Sequence, residues 1–554
     1  MKKYANKIGS NELTFGLFSY LCRTNYRKKE DMKKYIFSAI ACLLIINVFA
    51  QSIQNDKNNN PLRKIQLAVM AVKNLYVDTV NTDKLVEDGI KGMLNELDPH
   101  SAYTTAKETK AFTEQLQGSF EGIGVQFNIS NDTLIVVQPV NNGPSEKVGI
   151  MAGDRIVAVN DTAISGVKMT REAIVKRLRG PKGSKVKLGV QRRGIKDRLT
   201  FVVTRDKIPL TTVDVAYMIR PQVGYVRIES FGETTYDELM AALEKLKQQG
   251  MTKLILDLQD NGGGYLKSAA DIANEFLSRG NLIVYTQGRR VPKQEFTARG
   301  NGKYQDLPLY VLINEYSASA AEIVSGAMQD HDRGTIIGRR SFGKGLVQRP
   351  VEFEDGSMMR ITIAHYYTPV GRNIQKPYAK GDKEGYEMDI EKRFKHGELY
   401  HKDSIHFADS LKFQTLRLKR TVYGGGGIMP DEFVPLDTTR TTPFYRQLWG
   451  KSIVLNAAFK YNDSQRKKLR KRYPTFEQFK DGFVVPDEVL NGIVAEAKKD
   501  KITYKDEKEW QRTIPMLQLQ LKSLIARDLW GMSECYQILN ENNPIVLKAI
   551  ELAK

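Results

Sequence analysis

Two segments near the middle of the chain carry residue types suited to nucleophilic catalysis. They read NEYSASAAEIVSGAM (314–328) and GRRSFGKGLVQ (338–348). The apolar run LYVLIN (309–314) predicts a strand that leads into a turn of small residues, and the composition from Ala320 onward favours a helix. A serine at such a junction lies beside the first backbone N–H groups of the helix, which have no carbonyl acceptor within the helix. Those groups can therefore donate to an oxyanion.

A serine hydroxyl is a weak nucleophile without a general base. None of the six histidines has a motif context, whereas Lys344 lies between Gly343 and Gly345 with apolar residues nearby. Burial can lower the pKa of a lysine far enough for it to act as the base. The alternative is a glycine-rich turn with a lysine on the surface, and the local pattern does not decide between the two.

The same letters also fit a phosphate-binding loop, G-x-x-x-x-G-K, over residues 338–345. In that motif the last position is a Ser or Thr that holds magnesium, and here it is Gly345. The chain is also predicted to be exported, away from an ATP supply. We therefore reject nucleotide binding, and the predicted chemistry needs no metal or other cofactor.

A second element, DLQDNGGG (257–264), overlaps the end of the apolar strand KLILDLQ (253–259). Consecutive glycines permit positive φ and close approach of another chain, so one of their N–H groups can be a second oxyanion donor. Ligands of α/β folds bind at the carboxyl ends of strands, which favours this interpretation. The alternative is an ordinary turn.

A third element, GSFEGIGV (118–125), leads directly into a predicted strand. Its N–H groups can bind a terminal carboxylate while a peptide pairs along residues 123–128. The helix 170–178 is the predicted second wall of this groove. The predicted peptide-binding residues here are Gly122, Ile123, Gly124, Val125, Ile174 and Leu178.

The elements around these segments divide the chain into regions. A length of 554 residues predicts roughly three or four domains. Helical spacing predicts helices over 61–117, short alternating strands predict a small β-rich domain over 118–205, and strands alternating with helices predict an α/β core over 206–440. We interpret the polar stretch 371–420 as an insertion in that core, and 441–554 as a helical carboxyl-terminal domain.

The amino-terminal region predicts export. Met32-Lys33-Lys34 precedes an apolar run that ends in Val48-Phe49-Ala50, so residues 32–50 are a predicted signal peptide cleaved after Ala50. An uncleaved anchor is the alternative. Residues 1–31 are interpreted as an upstream extension. Removal of this leader leaves Cys535 as the single cysteine, so no internal disulfide is expected.

Taken together, these segments resemble the bacterial carboxyl-terminal processing peptidases, also called tail-specific proteases. The resemblance runs from about 61 to 435 and also includes three further motifs: LDPHSAY (97–103), TPVGRNIQ (368–375) and GIMPD (427–431). It implies a ClpP/crotonase-like spiral α/β peptidase core with an inserted PDZ domain. The expected localisation is the periplasm or cell envelope.

The resemblance also implies a role for each residue of the active site. Ser319 is the expected nucleophile and Lys344 the expected base, assisted by Gln348, one helical turn further on. The remaining expected site residues are Glu322 as acidic partner, Ala320 and Gly263 as oxyanion donors, and Arg179 as the residue that senses a bound peptide. This chain has Gly262 where most relatives have proline, and Ala321 where many have a second serine.

The expected function is cleavage of other proteins near their carboxyl termini. A non-catalytic PDZ adaptor or a scaffold that binds protein tails is the alternative. The charge of +20 is not concentrated enough to predict nucleic-acid binding. The basic run 465–473 can bind an anionic membrane surface, although a solvated helix face explains it more simply. The terminal helical regions are candidate surfaces for homo-oligomerisation.

Overall fold

A computed structural model describes residues 60–130, 132–439 and 441–554. The predicted extension 1–31 and signal peptide 32–50 lie outside these residues. The described residues divide into two units, with the boundary between residues 90 and 91. No helix among the described residues is long and apolar enough to cross a membrane.

The amino-terminal helices are α1 (Pro61–Leu75) and α2 (Thr82–Asn95). Helix α1 starts where the Asn60 side chain accepts the Leu62 N–H and proline occupies the first helical position. Its apolar residues stay in contact with solvent: Leu62 is 73% exposed and Leu75 is 81% exposed.

The β-rich region follows β1 (Ala102–Thr104) and α3 (Ala106–Leu116). Its main sheet has the order β3-β4-β5-β7-β8, β6 pairs with β5, and β2 pairs with β9. Its elements are β2 (Ser119–Gly122), β3 (Val125–Ser130), β4 (Thr133–Pro139), α4 (Pro144–Lys147), β5 (Arg155–Val159), β6 (Thr162–Ala163), α5 (Arg171–Leu178), β7 (Lys185–Gln191), β8 (Leu199–Thr204) and β9 (Asp206–Pro209). Strand β3 is therefore an edge strand of the main sheet.

The α/β core is built on a six-stranded sheet of order β10-β11-β12-β15-β16-β21, in which only β10 is antiparallel to its neighbour. Its strands are β10 (Val215–Arg220), β11 (Val223–Arg227), β12 (Lys253–Asp257), β15 (Leu309–Ile313), β16 (Thr335–Gly338) and β21 (Glu432–Phe433). Buried residues of α6 (Thr235–Gln248), α7 (Leu266–Asn274) and α8 (Ala320–Asp330) share one hydrophobic core with this sheet. The parallel strands read as apolar runs because both faces are covered.

A second sheet has the order β1-β18-β13-β14, with β17 also paired to β18. Its further strands are β13 (Leu282–Gln287), β14 (Gln294–Thr297), β17 (Leu346–Glu352) and β18 (Met358–Tyr367). The predicted insertion contains α9 (Lys383–Glu387), α10 (Asp389–Lys395), 3-10 turns at Lys402–Ser404 and Asp409–Leu411, and a hairpin of β19 (Lys412–Gln414) and β20 (Thr421–Tyr423). The predicted insertion is therefore an ordered part of the structure.

The carboxyl-terminal region is helical: α11 (Pro443–Gly450), α12 (Ile453–Arg472), α13 (Phe476–Gly482), α14 (Asp487–Lys499), α15 (Glu507–Leu529), α16 (Met532–Leu539) and α17 (Pro544–Leu552). Helices α11 to α16 share one hydrophobic core. Helix α17 instead packs Ile545, Val546 and Ala549 onto the second face of the six-stranded sheet. The last helix thus completes the α/β core, a role that the sequence did not predict.

Candidate active site

Three loops at the carboxyl ends of adjacent parallel strands form the candidate active site. They are residues 258–264 after β12, 314–319 after β15 and 339–345 after β16. Backbone hydrogen bonds join them: Ala318 N–H donates to Asn261 O at 2.9 Å, and Phe342 N–H donates to Ser317 O at 3.0 Å. The topology therefore brings together the segments that the sequence singled out.

Ser319 is the residue immediately before the first residue of α8. Its φ of 55° and ψ of −112° are strained for a residue with a side chain. The Ser319 carbonyl accepts a hydrogen bond from Tyr366 Oη at 3.1 Å, and the side chain is half-buried. Within the described residues, the N–H of Ala320 has no acceptor. The junction thus offers a hydroxyl beside a free backbone donor.

Glu322 is fully buried one turn into α8, and its carboxylate accepts four hydrogen bonds. Oε1 accepts from Ser341 Oγ at 2.5 Å and from Gly343 N at 2.7 Å. Oε2 accepts from Ser319 N at 2.7 Å and from Lys344 N at 2.9 Å. Burial raises the pKa of Glu322, and these donors oppose the rise. The residue predicted as an acidic partner thus joins the main chains of Ser319 and Lys344.

Lys344 is half-buried, and the loss of solvent lowers the pKa of its amine. The charge of Arg360 lowers this pKa further, while Glu322 and Asp98 oppose the shift. Its Nζ donates to Gln348 Oε1 at 3.4 Å. Among the described residues, no hydrogen bond joins Lys344 Nζ to Ser319 Oγ. The expected nucleophile and the expected base are therefore joined through the Glu322 carboxylate, without a direct hydrogen bond between their side chains.

Gln348 lies on the extended strand β17, so the expectation of a helical turn after Lys344 is wrong. Its Nε2 donates to the carbonyl of His100 at 2.5 Å. Because a carbonyl can only accept, this contact directs Gln348 Oε1 towards the Lys344 amine. His100 belongs to the LDPHSAY motif, for which the sequence predicted no role at the site.

Lys376 is a second buried lysine near the site, and burial also lowers the pKa of its amine. Its Nζ pairs with Asp389 Oδ2 at 3.1 Å and lies 4.0 Å from the ring centroids of Phe342 and Tyr386. These partners stabilise the charged form. Lys344 has an uncharged amide as its hydrogen-bond partner, so it is the better candidate for a neutral amine.

Gly263 lies directly against the nucleophile segment. A Cβ at this position would be 2.7 Å from Ser319 Cβ and 3.0 Å from Ala320 N, so only glycine fits. Its N–H, however, donates to Asn261 Oδ1 at 2.8 Å. The N–H group expected as the second oxyanion donor is therefore already hydrogen-bonded in this structure. Nothing in the sequence predicted its contact with Asn261.

The β-rich region keeps one backbone edge open for a peptide. Strand β3 pairs only with β4, and in the described part of the chain neither Ile123 N–H nor Gly124 N–H has an acceptor. Gly124 has a φ of 70° and would place a Cβ 2.9 Å from Ile208 Cδ1. Gly122 ends β2 and is buried, and Val125 starts β3 and is half-buried.

Two residues of α5 that were expected to line the groove are buried. Ile174 and Leu178 are 1% and 4% exposed and lie in the hydrophobic core of this region, with Ile123. Their predicted contact with a peptide stays a prediction. Arg179, just after α5, pairs with Glu114 Oε2 at 2.5 Å and lies 4.6 Å from the ring centroid of Phe120. It therefore links the β-rich region to helix α3.

Comparison with known proteins identifies the family. A carboxy-terminal-processing protease of Bartonella bacilliformis is 38% identical over 359 residues, which cover 62% of this chain and 80% of that protein. The chain belongs to the carboxy-terminal processing peptidases. The carboxy-terminal processing protease CtpA of Bacillus subtilis is 35% identical over 60% of this chain and 73% of its own length.

Family models divide this processing peptidase further. Peptidase family S41 matches residues 222–391, a PDZ domain matches 122–204 and the CtpB amino-terminal domain matches 45–109. A family of unknown function matches 444–531. The solved photosystem II D1 C-terminal processing protease is 31% identical over 56% of this chain and 89% of its own, with a TM-score of 0.32. The family-model matches and the two curated relatives confirm the predicted fold class and the serine-type peptidase.

Proposed function

We propose that this processing peptidase cuts with a Ser319–Lys344 dyad. Neutral Lys344 takes the proton from Ser319 Oγ, which attacks the peptide carbonyl carbon. The resulting lysine ammonium gives its proton to the departing amine as the C–N bond breaks, and an acyl-enzyme remains. Water, deprotonated by the same amine, then attacks the ester and releases the acyl product.

The observation that carries this proposal is the environment of the two side chains. Lys344 has a lowered pKa and a neutral partner, and its main chain shares the Glu322 carboxylate with that of Ser319. The free Ala320 N–H is the proposed first oxyanion donor. The Gly263 N–H becomes the second when Asn261 releases it.

The arrangement described above is the proposed resting state. Substrate binding would bring Lys344 Nζ to Ser319 Oγ and free the Gly263 N–H. The PDZ domain is proposed to bind the free carboxyl terminus of a protein substrate along β3. Its position beside Glu114 makes Arg179 the proposed sensor of that event.

Cleavage of one reporter protein, with and without an apolar carboxyl-terminal tail, tests this proposal. We expect faster cleavage of the tailed reporter, and loss of all cleavage in both Ser319→Ala and Lys344→Met. The PDZ-adaptor alternative predicts binding of the tail with no fragments from any form of the protein. Normal turnover by Lys344→Met would remove the base assignment.

We also propose that the protein is exported and acts in the periplasm or cell envelope. The signal-like pattern of residues 32–50 supports this, and a mature protein that starts at Gln51 would be the result expected from amino-terminal sequencing. The exposed apolar side chains of α1 support self-association through this helix. The basic run 465–473 supports weak peripheral membrane association, which added salt should reverse.

A further inference from the structure

The insertion supplies a buried tyrosine to the back of the active site. Tyr386, in the short helix α9, is 5% exposed. It lies among His100, Phe342 and Lys376, which come from three other parts of the chain. None of the catalytic steps above uses it.

The Tyr386 hydroxyl connects both sides of the base. On one side it contacts His100 Nε2 at 2.8 Å, and the His100 carbonyl accepts from the amide of Gln348. On the other side it accepts from Gln375 Nε2 at 3.1 Å, and Gln375 Oε1 accepts from Gly345 N at 2.9 Å. Gly345 directly follows Lys344, and Gln348 holds its amine.

The protonation states of His100 and Tyr386 fit the hydrogen bonds of this network. Burial lowers the pKa of His100 to about 3, so its ring is neutral at physiological pH. Burial also raises the pKa of Tyr386, so its hydroxyl stays protonated. Tyr386 can therefore donate to His100 Nε2 while it accepts from Gln375 Nε2, whose second N–H donates to the Lys376 carbonyl at 2.8 Å.

The Tyr386 ring also packs against residues next to the proposed base. It makes edge contacts with His100 and Phe342 at centroid distances of 5.1 and 5.9 Å. The backbone carbonyl of Tyr386 accepts a hydrogen bond from Lys376 Nζ at 3.2 Å. Loss of water around Lys344 is the main cause of its lowered pKa.

We propose that Tyr386 is a positioning residue for the catalytic base: its hydroxyl fixes the Gln348 amide and the Gly345 backbone on either side of Lys344. This inference rests on the proposed function of Lys344. It assigns the insertion a role in catalysis, as a support behind the base.

The test is Tyr386→Phe in the full chain, measured as kcat and KM on the tailed reporter and as a pH profile of kcat/KM. Loss of two hydrogen bonds is expected to lower kcat at neutral pH about tenfold, with KM unchanged. The acid limb should move to higher pH, since a looser and wetter loop favours the charged amine. Around Lys344 the charged groups are Arg360, Glu322 and Asp98, and the variant leaves all three in place.

The pH profile separates positioning from a folding defect, because a smaller folded fraction lowers the rate equally at every pH. Tyr378→Phe is the matched control. Tyr378 contacts the Tyr386 ring at 6.3 Å, and in the described residues its hydroxyl has no hydrogen bond. Its removal should change neither kcat nor the acid limb.

If Tyr386→Phe does not fold, Gln375→Leu breaks the same network from its other end and should give the same shift. Normal kcat and an unmoved acid limb in either folded variant, with Lys344→Met inactive, would overturn this inference alone. An active Lys344→Met would overturn the proposed function and the inference with it.

Discussion

Replacement of Glu322 by glutamine should weaken the link between the main chains of Ser319 and Lys344, the proposed nucleophile and base, while both side chains remain present. The carboxylate accepts two hydrogen bonds on each oxygen, from Ser341 and Gly343 on one and from Ser319 and Lys344 on the other. A glutamine has one carbonyl oxygen, and its NH2 group would face one of these pairs of donors. Two hydrogen bonds are therefore lost whichever way the amide is turned.

The structure gives the size of the expected effect. A hydrogen bond to a charged group contributes about 1.5–3 kcal/mol, so two of them amount to about 3–6 kcal/mol. The variant no longer buries a charge, which offsets part of this cost. We expect a net destabilisation of about 2–4 kcal/mol in the core, and a fall in kcat of at least about tenfold, because Ser319 and Lys344 lose their common anchor.

Calorimetric unfolding together with cleavage of the tailed reporter measures both quantities. A core of about 200 residues should unfold roughly 5–15 °C lower in Glu322→Gln. Ser325→Ala is the control, since Ser325 is buried in the same helix and its hydroxyl donates to Ala321 O at 2.9 Å. It should keep normal activity. A Glu322→Gln protein with unchanged midpoint and unchanged kcat would refute this reasoning.

Three further predictions concern other contacts. Gly263→Ala should lower kcat about 100-fold, because the new Cβ meets Ser319 at 2.7 Å; normal activity would show that the loop is not close-packed during turnover. The acid limb of the pH profile of kcat/KM should lie below pH 10.5, because burial lowers the pKa of Lys344 and the neutral amine forms as the pH rises through that pKa. An acid limb at pH 10.5, the ordinary lysine value, would contradict this. The 2.9 Å ion pair of Arg155 and Asp463 joins the PDZ domain to α12, so Arg155→Asp should speed amide hydrogen exchange in β5. The double variant that also carries Asp463→Arg restores opposite charges and should reverse the change.

The sequence located the site because its signals are local. A strand that ends in small residues at SASA, and glycines after a buried strand, are determined by neighbours in the chain. The parallel sheet then brings strand ends together whatever the rest of the fold does. This is why the three segments could be singled out without a structure, whereas the choice of Ser319, Lys344 and Gly263 within them came from the family resemblance and stays a prediction.

Features that depend on distant residues were not predictable. The burial of Ile174 and Leu178 depends on the packing of α5 in the PDZ core, and the packing of α17 on the central sheet depends on residues hundreds of positions earlier. The Asn261 side chain that accepts from the Gly263 N–H is also held by a distant contact, since Asn261 Nδ2 donates to the Ile228 carbonyl at 2.8 Å. The proposed positioning role of Tyr386 depends on contacts among four segments that meet only in the folded chain.

A single carboxylate oxygen holds the main chains on either side of the reaction. Glu322 Oε2 binds the N–H groups of both Ser319 and Lys344, so the distance between hydroxyl and amine can change by rotation about side-chain bonds alone. Such rotations take picoseconds to nanoseconds, whereas peptidases turn over on the scale of milliseconds to seconds. The proposed Ser319–Lys344 dyad can therefore form much faster than one turnover, so we expect substrate binding to be the slower step.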